Sequence, residues 1–278
     1  MTSGVLKLAA FSDGDQGGNP AGVWIGDSLP QAIDMQRIAA EVGYSETAFA
    51  MPIEGGWRVR YFAPEAEVPF CGHATIALGA ALAGLHGDGK YQLTLNNAQI
   101  SVEGYAQGEL ISAALQSPPT FSKPLDPLAL EKALALFGYS HADLDPAIPP
   151  ALINGGIQHL VIALNSREKL KAMHYEQQAG QQLMTAENWG TVLLIFAESP
   201  QRFHSRNPFA YGGVYEDPAT GAATAAFAGY LRDLGWPHGG VIDIVQGEDM
   251  GSRSLLRAEI KDEPGSSIRV SGMARKLM

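Results

Sequence analysis

Three ionisable residues stand where a proton could be moved. Glu46 lies in Ser45-Glu46-Thr47-Ala48-Phe49-Ala50 and interrupts what reads as an apolar strand. Its neighbours Ala48, Phe49 and Ala50 would desolvate the carboxyl, the setting that general acid/base work near neutrality needs. The other reading is a carboxylate facing solvent from an edge strand. His73 follows Cys71 and Gly72 just inside an expected helix start, either donating to a substrate or orienting a carboxylate, or else purely structural. Asp217 opens the run Asp217-Pro218-Ala219-Thr220-Gly221 and is either a chemical group or an N-cap, since Asp before Pro often starts a helix. Cys71 is a thiolate activated at a helix N-terminus or a small buried residue.

Both turns lead straight into helices, whose first backbone N–H groups have no intrahelical partner and can receive an anion. Gly72 and Gly221 remove side chains where a carboxylate would have to approach. The expectation is that the two turns face one another and hold one small acid.

The elements that must position these residues recur. Laying Arg60 on Arg206 brings Val68 onto Val214, Cys71 onto Asp217, Ala77 onto Ala223, Ala80 onto Ala226 and Leu85 onto Leu231 without a gap. Ser45 to Ala50 similarly lies about one position out of register with Val192 to Ala197, and Gly17-Gly18-Asn19-Pro20 has a counterpart in Asn154-Gly155-Gly156. Each copy reads as extended segment, turn, helix. The repeated helices, Ala74 to Leu85 and Ala222 to Leu231, are apolar or small on nearly every face, so each is expected to be buried all round. Further helices are expected at Gln31 to Val42 and Leu128 to Phe137, and strands at Tyr91 to Asn96, His159 to Leu164 and Val241 to Val245. The pattern is a strand-rich α+β fold of two similar lobes, each wrapping a sheet around a central helix. The proline-rich Ser117 to Pro124 reads as the link between them. This places one lobe at residues 1–118, completed by 266–278, a linker at 119–124 and a second lobe at 125–265.

Composition narrows the function classes. The chain of 278 residues is 46% hydrophobic, ample for two cores, and its 32 glycines imply many tight turns. A net charge of −10 with no Lys/Arg cluster would repel a nucleic-acid backbone. The lone cysteine excludes an internal disulfide and makes the cytoplasm the default compartment. The start carries no convincing signal peptide, and the longest nearly apolar stretch, about a dozen residues, falls short of the roughly 20 that span a bilayer, so no membrane role is expected. The seven His residues lack metal-ligand spacing, so no metal is expected. Gly84 to Tyr91 imitates a phosphate-binding loop, but Tyr91 stands where Ser or Thr is required, and the stretch reads as a turn.

With Gly17-Gly18-Asn19-Pro20-Ala21, Ser45-Glu46-Thr47-Ala48-Phe49, Cys71-Gly72-His73-Ala74-Thr75 and Glu216-Asp217-Pro218-Ala219-Thr220-Gly221 in this order, the chain resembles the phenazine biosynthesis PhzF-like family of the diaminopimelate epimerase-like fold. The resemblance spans nearly the whole chain. It implies two lobes, each a barrel-like, mostly antiparallel sheet around a buried helix, with the active site between them, and a homodimer. It also implies cofactor-independent isomerisation in which Glu46 moves a proton, His73 and Asp217 assist, and Asn19, Cys71, Gly72, Thr220, Gly221 and Ala222 contact substrate. The family's best-known substrate is a dihydro-hydroxyanthranilate. Family members commonly carry Ser where this chain has Ala222, so a hydroxyl donor is missing and the substrate is left open.

Racemases of the same fold use two Cys, one per turn, whereas the matching positions here are Cys71 and Asp217. Glu46 also lacks an acidic counterpart near Leu193. A single base returns a proton to the face it left, which favours a proton shift along an unsaturated acid over inversion of a stereocentre. An amino-acid racemase or epimerase using Cys71, and a non-catalytic small-acid-binding protein, remain the rival readings.

Overall fold

The computed structural model describes residues 4–277. The chain divides into two compact units, Met1–Pro118 with Arg269–Met278, and Pro119–Ile268.

The first unit contains β1 (Val5–Ser12), β2 (Asn19–Ile25), α1 (Ala32–Val42), β3 (Thr47–Ile53), β4 (Gly56–Phe62), β5 (Glu67–Val68), α2 (Gly72–His86), β6 (Gly89–Thr94), β7 (Gln99–Gln107) and β8 (Leu110–Pro119). The second carries β9 (Phe121–Pro124), α3 (Pro127–Phe137), β10 (Ala151–Asn154), β11 (Gln158–Ala163), α4 (Arg167–Lys171), α5 (Gln177–Ala186), β12 (Thr191–Ser199), β13 (Arg202–Arg206), β14 (Pro208–Phe209), β15 (Val214–Glu216), α6 (Gly221–Asp233), β16 (Val241–Gln246) and β17 (Ser254–Glu259). The last strand, β18 (Ser267–Lys276), belongs to the first unit from Arg269 onward.

In the first unit the strands run β1-β2-β3-β4-β6-β7-β8-β18, and β18 pairs back onto β1 with Leu8 opposite Lys276 and Ala10 opposite Ala274. The sheet therefore closes on itself, which leaves its main strands no open edge. Helix α2 packs against β1, β2, β3, β6 and β7, and every residue from Gly72 through Ala83 is buried. Small residues make this possible: a Cβ on Gly104 of β7 would come within 2.5 Å of the Gly79 carbonyl oxygen. Fully buried Ile76, Leu78 and Leu82 then contribute roughly 2 kcal/mol each. Outside, α1 lays Met35, Ile38 and Ala39 on Phe49 and Phe62, and the left-handed Gly43 ends it.

The second unit orders its strands β9-β10-β11-β12-β13-β16-β17, with α6 against β9, β10, β11 and β17 and buried from Gly221 through Arg232. Gly155, after β10, rides on that helix, since a Cβ there would lie 2.9 Å from the Ala226 nitrogen.

The order of pairing senses is the same in both units. In the first, β1/β2, β3/β4 and β6/β7 are antiparallel, whereas β2/β3 and β4/β6 are parallel. In the second, β10/β11, β12/β13 and β16/β17 are antiparallel, whereas β11/β12 and β13/β16 are parallel. Each central helix follows a bidentate Arg–Glu pair: Arg60 to Glu67 at 2.8 and 2.6 Å, and Arg206 to Glu216 at 2.9 and 2.5 Å.

Three expectations are corrected. The gapless match fails beyond the Arg residues, because Arg and Glu are seven residues apart in the first unit and ten in the second. The helix N-caps are Cys71 and Thr220, so the counterpart of Cys71 is Thr220, and Asp217 corresponds to Val68. Residues 119–124 are not a free linker: β8 runs through Pro119, and β9 pairs antiparallel with β10. Proline is tolerated in β9 because that strand ends its sheet. Finally, Gly84 to Tyr91 is mostly the end of α2 and the start of β6 rather than a turn.

Candidate active site

Glu46 is the residue just before β3, not an interruption within it, and its carbonyl oxygen accepts a hydrogen bond from the Gly22 N–H at 3.2 Å. Its side chain is buried, which excludes the solvent-facing reading. Oε2 has no hydrogen-bond partner among the described residues, yet lies 3.4 Å from Nε2 of His73. His73 is the second residue of α2 and is also buried. Its ring is flanked on both sides, with Ser45 Oγ 3.3 Å from Nε2 and Cys71 Sγ 3.4 Å from Nδ1.

The head of α2 is pinned from within the barrel. The Thr75 hydroxyl donates to the Cys71 carbonyl at 2.6 Å, so the Tyr61 hydroxyl, 2.7 Å away, donates to Thr75. Burial pushes the Tyr61 hydroxyl well above the usual phenol range and keeps it a donor. Asn19 is buried at the start of β2, opposite Ala10. Next to it the chain is strained: Phe11 has a φ of 61°, and a Cβ on Gly18 would meet the Ala10 carbonyl oxygen at 2.8 Å.

In the second unit Asp217 is buried at the turn after β15, and Thr220 caps α6. The Thr220 hydroxyl donates to Oδ2 of Asp217. Asn207 Nδ2 donates to Thr220 Oγ1 at 2.5 Å, and the Asp217 N–H donates to the Asn207 carbonyl at 3.0 Å. Gln246 Nε2 donates to the Asp217 carbonyl at 2.7 Å. The adjacent Glu216 is held by Arg206, whose Nη1 also donates to the Lys171 and Met173 carbonyls. Gly221 and Ala222 begin α6. Neither central helix has a side-chain cap bond or an acidic residue in its first turn, so its leading N–H groups are not claimed by such a cap.

The sequence spacing concealed one convergence. Single ligand atoms of Glu46, Cys71 and His73 lie within 4.8 Å of one another, the group of such residues found among the described ones. A thiol, an imidazole and a carboxylate form a donor set that suits zinc, and these residues are the ones able to hold a metal. Sequence reasoning also missed Ser45 beside His73 in the first unit, and Asn207 and Gln246 beside Thr220 in the second. Ser45 was next to a named residue, whereas nothing in the neighbourhood of Asn207 or Gln246 marks them.

A family model described as phenazine biosynthesis-like protein matches residues 8–278. The chain belongs to that family. The trans-2,3-dihydro-3-hydroxyanthranilate isomerase of Pseudomonas fluorescens is 33% identical over 95% of this chain and 94% of its own length. The phenazine biosynthesis-like chain is thus an isomerase, in agreement with the sequence reading. Among solved structures, a predicted epimerase from Pseudomonas aeruginosa matches with a TM-score of 0.86 at 23% identity, covering 99% of this chain and 96% of that one. A probable proline racemase from Agrobacterium radiobacter K84 matches with a TM-score of 0.68 at 12% identity, covering 98% and 90%. These likenesses establish the fold as the α+β, epimerase-like one expected from the sequence. Among the described residues no helix is long and apolar enough to cross a membrane.

Proposed function

We propose that this isomerase shifts a proton along a small unsaturated carboxylic acid, with Glu46 as the proton carrier. The observation that carries the reading is the buried Glu46 Oε2, unmatched by any hydrogen bond among the described residues and 3.4 Å from His73. A buried carboxylate oxygen without a partner is costly to keep unless a ligand completes it. Glu46 takes the proton from an activated C–H, leaving a carbanion delocalised into the unsaturated acid, and returns it at another carbon of the same system. His73, held between Ser45 and Cys71, orients the carboxylate through both transfers. A proton leaves and a proton returns, so the scheme requires no redox or group-carrying cofactor. Asp217 serves as an acceptor for a polar substrate group, and Asn19, Cys71, Gly72, Thr220, Gly221 and Ala222 contact substrate.

The substrate of the Pseudomonas fluorescens relative is the first to try. Ala222 offers no hydroxyl, so ring acids with fewer polar substituents belong in the same panel. In Glu46→Gln the shape is kept and the proton carrier is lost; kcat should fall by about a thousandfold with substrate affinity nearly unchanged. Unaltered turnover would end the proposal. A cytoplasmic homodimer is proposed on the family resemblance, to be tested by a light-scattering mass of two chains.

A further inference from the structure

Thr220 Oγ1 meets three partners: Asn207 Nδ2 at 2.5 Å, Gln246 Nε2 at 3.1 Å and Asp217 Oδ2. A hydroxyl has one proton and two lone pairs. The two amide nitrogens can only donate, so they take both lone pairs, and the hydroxyl proton is left for Asp217 Oδ2. That oxygen must therefore be unprotonated.

The direction then propagates away from Asp217. With Nδ2 of Asn207 on Thr220, its Oδ1 faces the Thr191 hydroxyl at 3.0 Å and can only accept. The proton of Thr191 is thereby committed, so Thr191 Oγ1 accepts from His159 Nδ1 at 2.7 Å. His159 carries its proton on Nδ1, which leaves Nε2 a bare acceptor, in keeping with the absence of a partner there among the described residues. Gln246 is fixed the same way, because its Oε1 accepts the Thr220 N–H at 3.1 Å while Nε2 faces the Asp217 carbonyl. His159, Thr191, Asn207 and Gln246 are all buried and Thr220 is half-buried, so water does not compete for the bonds His159 to Thr191 and Thr191 to Asn207. Burial also takes His159 down to about 3, so it stays neutral.

We propose that the one-way chain His159 to Thr191 to Asn207 to Thr220, braced by Gln246, is a positioning device that holds Oδ2 of Asp217 as a fixed hydrogen-bond acceptor and so favours the carboxylate anion. Protonating Oδ2 would need the saturated Thr220 hydroxyl to turn, and with it each group behind. The other charged groups on the elements around this turn are engaged with one another. Arg206 holds Glu216; Arg167 holds Glu248 at 2.5 Å and Asp249 at 2.9 Å; His204 meets Glu248 at 2.6 Å; Arg257 holds Asp243 at 2.7 Å. The proton carrier and the fixed charge are then different residues, Glu46 and Asp217. The relevance to turnover rests on the isomerase scheme above; the state of the carboxylate does not.

Carbon-13 NMR of the Asp carboxyls, with Asp217→Asn assigning the signal, reads that state without substrate. The Asp217 carboxyl should titrate below exposed Asp carboxyls, and Thr191→Val should raise its midpoint by about one pH unit. Thr191→Ser, which keeps the hydroxyl, should restore it. An unchanged midpoint in folded Thr191→Val would overturn the proposal. Should that variant not fold, nitrogen-15 NMR of the wild type decides: His159 must show the Nδ1–H tautomer without titrating from pH 5 to 8, and an Nε2–H tautomer or a titration there refutes it. With an active substrate, Thr191→Val should lower kcat, leave KM alone and move the acid limb of the rate profile with the NMR midpoint; a structural defect alone would leave that limb in place.

Discussion

Glu46 Oε2 and His73 Nε2 lie 3.4 Å apart, one just ahead of β3 and the other in the first turn of α2, with both side chains nearly closed to solvent. The pair exists because two unrelated local events coincide. The parallel pairing of β2 with β3 fixes where β3 starts, and the close approach of Gly79 to Gly104 fixes α2 against β7.

Cys71 separates this scheme from a two-base epimerase. Its structural counterpart is Thr220, which is no second thiol, so in the proposed scheme Cys71, at the head of α2 beside the His73 ring, carries no proton. Cys71→Ser is expected to cost less than about tenfold in kcat/KM, or about 1.4 kcal/mol of transition-state stabilisation. Near-complete loss, with inversion of a stereocentre in the product, would favour the epimerase.

The two Arg–Glu pairs should differ in cost. Arg206 and Glu216 have side-chain exposures of 9% and 3%, against 22% and 27% for Arg60 and Glu67. Arg206→Met leaves a buried carboxylate uncompensated and should destabilise by about 3–5 kcal/mol in urea titrations, whereas Arg60→Met should cost about 1 kcal/mol or less. Arg206→Met combined with Glu216→Leu should recover much of the loss. Equal costs at the two sites would show that burial is not what distinguishes them.

His159 sets an acid limit on stability. Burial lowers it from 6.5 to about 3, so below pH 6.5 the unfolded chain takes up a proton that the native state refuses. Its contribution is therefore complete above pH 6.5 and declines as pH falls from there toward about 3, by up to about 1.4 kcal/mol per unit. Melting temperatures between pH 6.5 and 4.5 should drop more steeply in the wild type than in His159→Gln. Parallel curves would contradict the assignment.

What the sequence disclosed follows from where the information sits. The apolar runs at Ala74 to Leu85 and Ala222 to Leu231 could only be buried helices, and α2 and α6 lie within one to two residues of those limits. Glu46, His73 and Asp217 stood out because charged groups in apolar or glycine-rich company are unusual. The chain behind Asp217 was invisible: His159, Thr191, Asn207, Thr220 and Gln246 sit on different strands, turns and a helix cap, and only sheet pairing brings them together. The gapless repeat misled because three extra residues before Glu216 leave no mark in a composition that is rich in Ala and Gly. The prolines of 117–124 read as a break because the rule against proline concerns strand interiors, whereas Pro118 and Pro119 end β8 and Pro124 ends β9, an edge strand.

The most direct measurement is proton NMR of an active substrate turned over in D2O by the wild type and by Glu46→Gln. Wild-type product should carry deuterium, or retained substrate hydrogen, at the new C–H position and on one face only, and Glu46→Gln should bind substrate yet form product about a thousandfold more slowly. Isomerisation by Glu46→Gln at the wild-type rate, or label on both faces of one carbon, would contradict a single proton carrier at Glu46.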